Sequence, residues 1–439
     1  MTAVTFANAG GLLHGSVSAR LWNAVSAFTL CASVQPVRAS PPVRWPFPAA
    51  RRKAFFHSTV PRHSSRRISY RIAVSATGKD RVFRPDTNIF NFDPTTHDAL
   101  GIQTGRTYHE RKRSRPDSGE DAFFVSKVNG DTDAVAFGVA DGVGGWASSG
   151  VDPADFSHSF CSYMAQAARD WNSEADRLRA RALMQMGYDR CIDDKSIYAG
   201  GSTANVAVAR GDGKVELANL GDSGSILFRL AAVHHYSTSQ THGFNTPYQL
   251  SVMPPRMRAQ SNIFGGKAIE DLPYDASVTH CTVQHGDVLL LATDGVLDNL
   301  FNQDILNLVT SRMMATGAWN TTSNTHIGVS DELDSLTRPG GLSSLISSAP
   351  RPSPSPSSSP SPPPDPRTRE HTLQALLAAA VARQAKMSSM DLRHDGPFAK
   401  ESRRYHPWDP WRGGKVDDIS VIVAIAVEEG RDEPKDSEI

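Results

Sequence analysis

Not one Asp or Glu occurs in the first 79 residues, although the whole chain carries 46 acidic side chains against 46 basic ones. The same stretch is rich in Ser and holds Arg38, Arg44, Arg51, Arg52, Lys53, Arg62, Arg66 and Arg67. A positive, acid-free leader is the composition of an organelle transit peptide, and the run Arg51-Arg52-Lys53-Ala54-Phe55-Phe56-His57-Ser58 reads as a presequence cleavage region. A long hydrophobic run is also missing. Residues 21–34 are apolar but fall short of the ~20 residues that a membrane helix needs. Arg20 closes that stretch on one side, and the order of charged and apolar parts is wrong for a secretory signal. We therefore expect a mitochondrial protein, of the matrix, with no transmembrane segment.

Cysteine is scarce. The four residues Cys31, Cys161, Cys191 and Cys281 show no CxxC pairing, which excludes a zinc knuckle or a disulfide framework. The zero net charge excludes a nucleic-acid binder acting through a general basic field. No internal repeat and no P-loop occur.

What is present is a chain long enough for a sizeable core. Residues 134–140 and 419–427 read as apolar strands, and 287–293 as a buried one. The segment 204–219 carries a hairpin signal around Gly211-Asp212-Gly213. Residues 153–171 read as a helix with Phe156, Phe160, Met164 and Ala168 on one face. Residues 174–191 and 371–387 read as further helices. Clustered strands with short turns and interposed helices predict an α+β sandwich. The Pro/Ser-rich stretch 348–366 cannot bury enough apolar surface to offset its ordering entropy. The domains expected are a leader over 1–79, one globular domain over 80–430 interrupted by an insertion over 316–366, and a polar tail over 431–439.

Acidic residues recur at the ends of these apolar strands. Glu120-Asp121 precedes Ala122-Phe123-Phe124-Val125. Asp141 opens Asp141-Gly142-Val143-Gly144-Gly145-Trp146. Asp294 follows Leu291-Ala292-Thr293, and Asp417-Asp418 precedes Ile419-Ser420-Val421. Carboxylates converging at the mouth of a sheet repel one another unless a cation meets them. Hard divalent ions, Mg²⁺ or Mn²⁺, take such oxygen ligands, and a pair of them can clamp a phosphate and acidify water. The glycine after Asp141 lets a backbone carbonyl approach as a further ligand.

In order, Gly119-Glu120-Asp121, Asp141-Gly142-Val143-Gly144-Gly145, Gly201-Ser202-Thr203-Ala204, Asn219-Leu220-Gly221-Asp222-Ser223, Asp294-Gly295 and Asp417-Asp418-Ile419-Ser420 form a ladder. It resembles that of the metal-dependent protein phosphatases of the PPM (type 2C) family. The form of the second motif, Phe244-Asn245-Thr246-Pro247-Tyr248-Gln249-Leu250-Ser251 and Gly413-Gly414-Lys415-Val416-Asp417-Asp418 resemble its mitochondrial branch. The resemblance implies a central sandwich of two antiparallel sheets flanked by helices on both faces. It implies two divalent cations, Mg²⁺ or Mn²⁺, bridged by Asp141. Gly142 would offer its carbonyl to one, Asp294 and Asp417 would ligate the other, and Glu120 would hold a bound water with Asp121 assisting. The implied reaction is hydrolysis of phosphoserine or phosphothreonine in proteins by in-line attack of a metal-bridging hydroxide. The implied substrates are mitochondrial metabolic proteins.

The chain departs from that pattern at Val143, where many members carry His, and at Pro116, where many carry a phosphate-binding Arg. Arg113 or Arg115 could substitute for the latter, although a basic run more often faces water. Asp418, where Asn is common, reads either as an orienting group behind the ligands or as a turn residue. Asp222 reads as a turn aspartate bonded to backbone rather than to metal. Two alternatives share the motif ladder: an inactive binding or scaffold protein on the same fold, and a metal hydrolase of small phosphoesters.

Overall fold

The apolar segments around Phe137 and Val423 become central strands of two different six-stranded sheets, each antiparallel throughout. The computed structural model describes residues 67–263, 269–323, 325–343 and 371–430, all within one compact unit. The strands are β1 Ile68–Thr77, β2 Ile89–Phe92, β3 Ala99–Leu100, β4 Asp121–Val128, β5 Asp131–Asp141 and β6 Ala204–Ala209. They continue with β7 Lys214–Leu220, β8 Gly224–Arg229, β9 Ala232–Tyr236, β10 Ser277–Thr282, β11 Val288–Ala292 and β12 Ile419–Glu428. One sheet runs β9-β8-β11-β12-β1-β2 and the other β10-β7-β6-β5-β4-β3.

Alternation decides which face each side chain takes. On β5, Val135, Phe137 and Val139 point between the sheets, where they join Val74, Leu291 and Ile422. Ala134, Ala136 and Ala140 point outward to Phe156, Phe160 and Met164 of α1, Pro153–Arg169, and to Leu183 of α2, Ala180–Asp193. On β12, Val421, Val423 and Ile425 point the other way. They meet Ile305 and Val309 of α3, Asn302–Ala315, and Leu377 and Val381 of α4, Leu373–Ser389. Both strands are therefore buried on both faces, which is why they read as unbroken apolar runs. Each large side chain so buried contributes roughly 1.5–3 kcal/mol. The result is helices, sheet, sheet, helices, the α+β sandwich expected. The helix starts are capped: the Asp152 carboxylate accepts from the Ala154 amide at 3.1 Å before Pro153, and the Thr372 hydroxyl from the Ala375 amide at 3.3 Å.

Two boundaries differ from the sequence reading. The globular fold does not begin at residue 80, because β1 already lies between β12 and β2, with Ile72 and Val74 fully buried. Its lack of acidic residues hid a strand inside a stretch that reads as leader. Nor does the insertion begin at 316. Trp319 is fully buried, its indole N–H donates to Gly286 O at 3.1 Å, and Leu333–Thr337 is helical. The amide of Leu342 donates to His371 O at 3.2 Å, so the chain returns to where it left. The leader and its cleavage region over 1–66, the stretch 344–370 that contains the Pro/Ser run, and the tail over 431–439 lie outside the described residues. No helix among the described residues is long and apolar enough to cross a membrane. Cys161 and Cys191 are buried free thiols and Cys281 is half-buried.

Candidate metal centre

The antiparallel registers bring the motif residues to one rim of the sandwich. Asp121 opens β4 directly opposite Asp141, the last residue of β5. Leu220 at the end of β7 faces Ala204 at the start of β6, and Asp222 lies in the turn that carries the chain from β7 to β8 in the other sheet. Ala292 at the end of β11 is opposite Gly224 and Val421, so Asp294 and Asp417-Asp418 emerge beside that turn.

Among the described residues, carboxylate oxygens of Asp141, Asp222 and Asp294 lie within 4.8 Å of one another. This corrects the reading of Asp222 as a turn residue alone. One of its oxygens, Oδ1, is buried with no hydrogen-bond partner. The turn is real, but crossing between sheets aims its side chain into the cluster. Asp417 lies beside this group, linked through the Lys415 ammonium, which is 2.6 Å from Asp294 Oδ2, 2.7 Å from Asp298 Oδ2 and 3.1 Å from Asp417 Oδ2. Lys415 stands in the motif Gly413-Gly414-Lys415-Val416-Asp417-Asp418 without an assigned role, and Asp298 lies four residues after Asp294.

The remaining motif residues hold these groups in place. The Ser202 hydroxyl and the Thr203 amide donate to Asp141 O at 2.8 and 2.9 Å, and the Asp141 amide donates to Thr203 Oγ1 at 3.2 Å. Thr203 Oγ1 also lies 2.8 Å from Ser223 Oγ, which joins the Gly-Ser-Thr-Ala motif to the Asp222 turn. The Thr293 hydroxyl donates to Asp121 Oδ2 at 2.7 Å. Gly142 packs so closely that a Cβ there would lie 2.8 Å from Glu120 O and 2.9 Å from Pro153 O. At Gly295 a Cβ would collide with Asp418 O. Side chains at either place would push the rim apart.

Asp418 proves to be an orienting residue. It is 3 % exposed, and its two oxygens accept from the backbone amides of Lys79 at 2.5 Å and Glu120 at 2.8 Å. It thereby fixes Glu120, whose own carboxylate accepts from Lys79 Nζ at 2.9 Å and is not part of the close Asp group. Arg115 is committed elsewhere, with Asp155 at 2.7 Å. Arg113 is exposed at the end of the short helix Tyr108–Arg113. The cation nearest Glu120 is thus Lys79. Val143 donates its amide to Gly201 O at 3.0 Å and brings no titratable group.

Burial drives the electrostatics. Asp121, Asp141 and Asp222 are pushed well above the ordinary carboxylate range, first by desolvation and then by the acidic neighbours Asp418 and Asp294. Asp298 is pushed up to about 7 by burial, against the opposing pull of Lys415. Asp417 is raised by burial and by Asp294. Asp294 alone is held low: burial opposes its ionisation, but the charge and hydrogen bond of Lys415 outweigh it. A group of oxygen donors that resists ionising together, with one oxygen unsatisfied, fits a hard divalent cation.

Residues 109–336, just over half of the chain, match the family described as protein phosphatase 2C. The chain belongs to that family. Asp417 and Asp418 lie beyond the matched segment. The chain is similar to protein phosphatase 2C homolog 7, mitochondrial, of Saccharomyces cerevisiae, at 37 % identity over 49 % of this chain and 61 % of the relative. It is also similar to the protein phosphatase PTC7 homolog of Homo sapiens, at 38 % identity over 43 % of this chain and 58 % of the relative. It thus spans less than two thirds of the length of these two relatives. Among solved structures, the photosystem II phosphatase PBCP matches 73 % of this chain and 95 % of its own at 25 % identity, with a TM-score of 0.47.

Proposed function

We propose that the chain is a metal-dependent serine/threonine protein phosphatase that acts in the mitochondrial matrix on phosphorylated metabolic proteins. The observation that carries the reading is the convergence of the Asp141, Asp222 and Asp294 carboxylates, two half-buried and one buried, at one rim. Membership of the protein phosphatase 2C family supports it. The acid-free leader and the mitochondrial name of the yeast relative support the location.

Asp141, Asp294, Asp417, Glu120 and the Gly142 carbonyl would hold two cations, Mg²⁺ or Mn²⁺, with Asp121 and Asp222 beside them. When bound, such ions polarise a phosphoryl group and acidify water. The chain supplies the rest by positioning. Thr293 orients Asp121, Ser202 and Thr203 fix the backbone at Asp141, and Asp418 locks the backbone of Glu120. Lys79, partly exposed on Glu120, puts a positive charge at the rim where a phosphate dianion would arrive.

The test is phosphate release by the full chain from a phosphothreonine peptide, from nucleotides and from p-nitrophenyl phosphate, each with Mn²⁺, Mg²⁺ or chelator. Metal-dependent release that favours the peptide is expected. Release confined to nucleotides would instead make it a small-phosphoester hydrolase, and cation binding without any release would make it a binding protein on this fold. A fluorescent fusion of the full chain should co-localise with mitochondria, and a uniformly cytosolic signal would refute the location.

A further inference from the structure

Lys415 sets its ammonium among Asp294, Asp298 and Asp417, and its placement is fixed from several sides. Buried Asn299 grips its backbone in both directions: the Asn299 side-chain amide donates to Lys415 O at 2.8 Å, and the Lys415 amide donates to Asn299 Oδ1 at 2.9 Å. The same amide group of Asn299 donates to Gly295 O at 2.9 Å, so the grip is shared with the turn that bears Asp294. The Lys415 side chain is 14 % exposed, and its ammonium lies 5.0 Å from the centre of the Phe398 ring, which walls it off from solvent. Phe398 is held in turn, its amide donating to Asp298 O at 3.1 Å. At the far end the ammonium meets three carboxylates, one from each of Asp294, Asp298 and Asp417.

A flexible surface lysine that had merely drifted toward negative charge would have none of this framing. Three carboxylates converging on one point are also what a hard divalent ion would seek. An ammonium is compact, singly charged and donates three hydrogen bonds, one to each carboxylate here.

We propose that Lys415 is the resident cation of this rim: its ammonium aligns Asp294, Asp298 and Asp417 and fills the place between them that a further divalent ion would otherwise take. The inference rests on the metal-centre reading above and deepens it. The ammonium meets Asp294 and Asp417 through their Oδ2 atoms, so these two residues can still share with Asp141 the two cations of the centre, and only a further ion is excluded. Lys415 is a positioning residue, acting through Asp294 and Asp417 rather than on substrate.

The experiment counts Mn²⁺ ions bound per chain at saturation in the wild-type full chain and in Lys415→Met, Lys415→Arg and Asp298→Ala/Lys415→Met. Lys415→Met should bind one ion more than wild type. Lys415→Arg, which keeps the charge, and the double variant, which removes one wall of the vacated place, should match wild type. Equal uptake by wild type and a folded Lys415→Met would overturn the inference while leaving the phosphatase reading intact. Wild-type protein that takes up no Mn²⁺ would defeat both. A second measurement needs no variant: amine-reactive labelling of the wild-type chain, read by mass spectrometry, with and without Mn²⁺. Lys415 should stay protected in both conditions while Lys79 labels. Labelling of Lys415 that rises on adding Mn²⁺ would mean the metal ejects it, and would also overturn the inference.

Discussion

Asp294 and Asp222 sit within one cluster, yet they are opposite in electrostatic character. Asp294 touches Lys415 at 2.6 Å and is held below the ordinary carboxylate range. Asp222, like Asp141 and Asp121, has no such ammonium against it and is pushed well above that range by burial and acidic neighbours. Lys415 does not fully satisfy even its own side, since Asp298 still stands at about 7. Burial is common to both sides, so the difference lies in the counter-charge. The carboxylates that the protein leaves without one are those that most need an ion from solution, and Asp294, close to both Asp141 and Asp222, joins the two sides.

The largest effect should come from breaking the uncompensated side. Asp141→Ala should lower metal-dependent phosphate release by roughly 10³-fold, about 4 kcal/mol of barrier, while circular dichroism stays native. Wild-type turnover in that variant would remove Asp141 from the site.

Neutralising one residue on each side should give opposite signs in the metal-free protein. Asp294→Asn removes the partner of a buried ammonium and should destabilise by about 2 kcal/mol. Asp222→Asn removes a half-buried carboxyl whose charge only the more distant Lys415 opposes, and should stabilise by about 1 kcal/mol. Denaturant melts in chelator would read both. The same sign for the two variants would erase the contrast.

The contrast also has a pH signature. A carboxyl whose folded pKa is raised favours the fold most when protonated, so its contribution is complete below the ordinary carboxylate pKa and is lost as pH rises through the raised value. Asp298, at about 7, puts such a loss across neutrality. Metal-free protein should therefore lose about 1 kcal/mol between pH ~6 and ~8, seen as a falling Tm, and saturating Mn²⁺ should oppose the fall. A metal-free Tm that climbs over that range would count against the account.

The smallest effect should come from far outside the rim. Deleting residues 348–366 joins a chain whose flanks already meet through Leu342 and His371. Stability should change by less than about 1 kcal/mol, and phosphate release should hardly change. Loss of both would mean that the segment is structural.

Much of this was legible in the sequence, because the strongest signals are local. The runs around Phe137 and Val423 marked central strands, and the ordered acidic motifs marked their ends. What escaped depends on long-range placement. Gly221-Asp222-Ser223 reads as a turn, and only the passage of the chain from one sheet to the other shows where its carboxylate goes. Lys415 gains its role from Asn299, more than a hundred residues earlier in the chain. The strand from Ile68 to Thr77 was hidden by the acid-free composition around it, although Ile72 and Val74 alternate as a buried strand should. Trp319 falls in the stretch that reads as insertion, because the Pro/Ser run that follows dominates the composition of its neighbourhood.

The central claim is that Asp141, left without a resident cation, holds metal together with neighbouring Asp294. Calorimetric titration of Mn²⁺ into chelator-stripped wild-type and Asp141→Ala protein tests it most directly. The account predicts saturable uptake by wild type and the loss of at least one bound ion in the variant. Identical isotherms for the two proteins would contradict it.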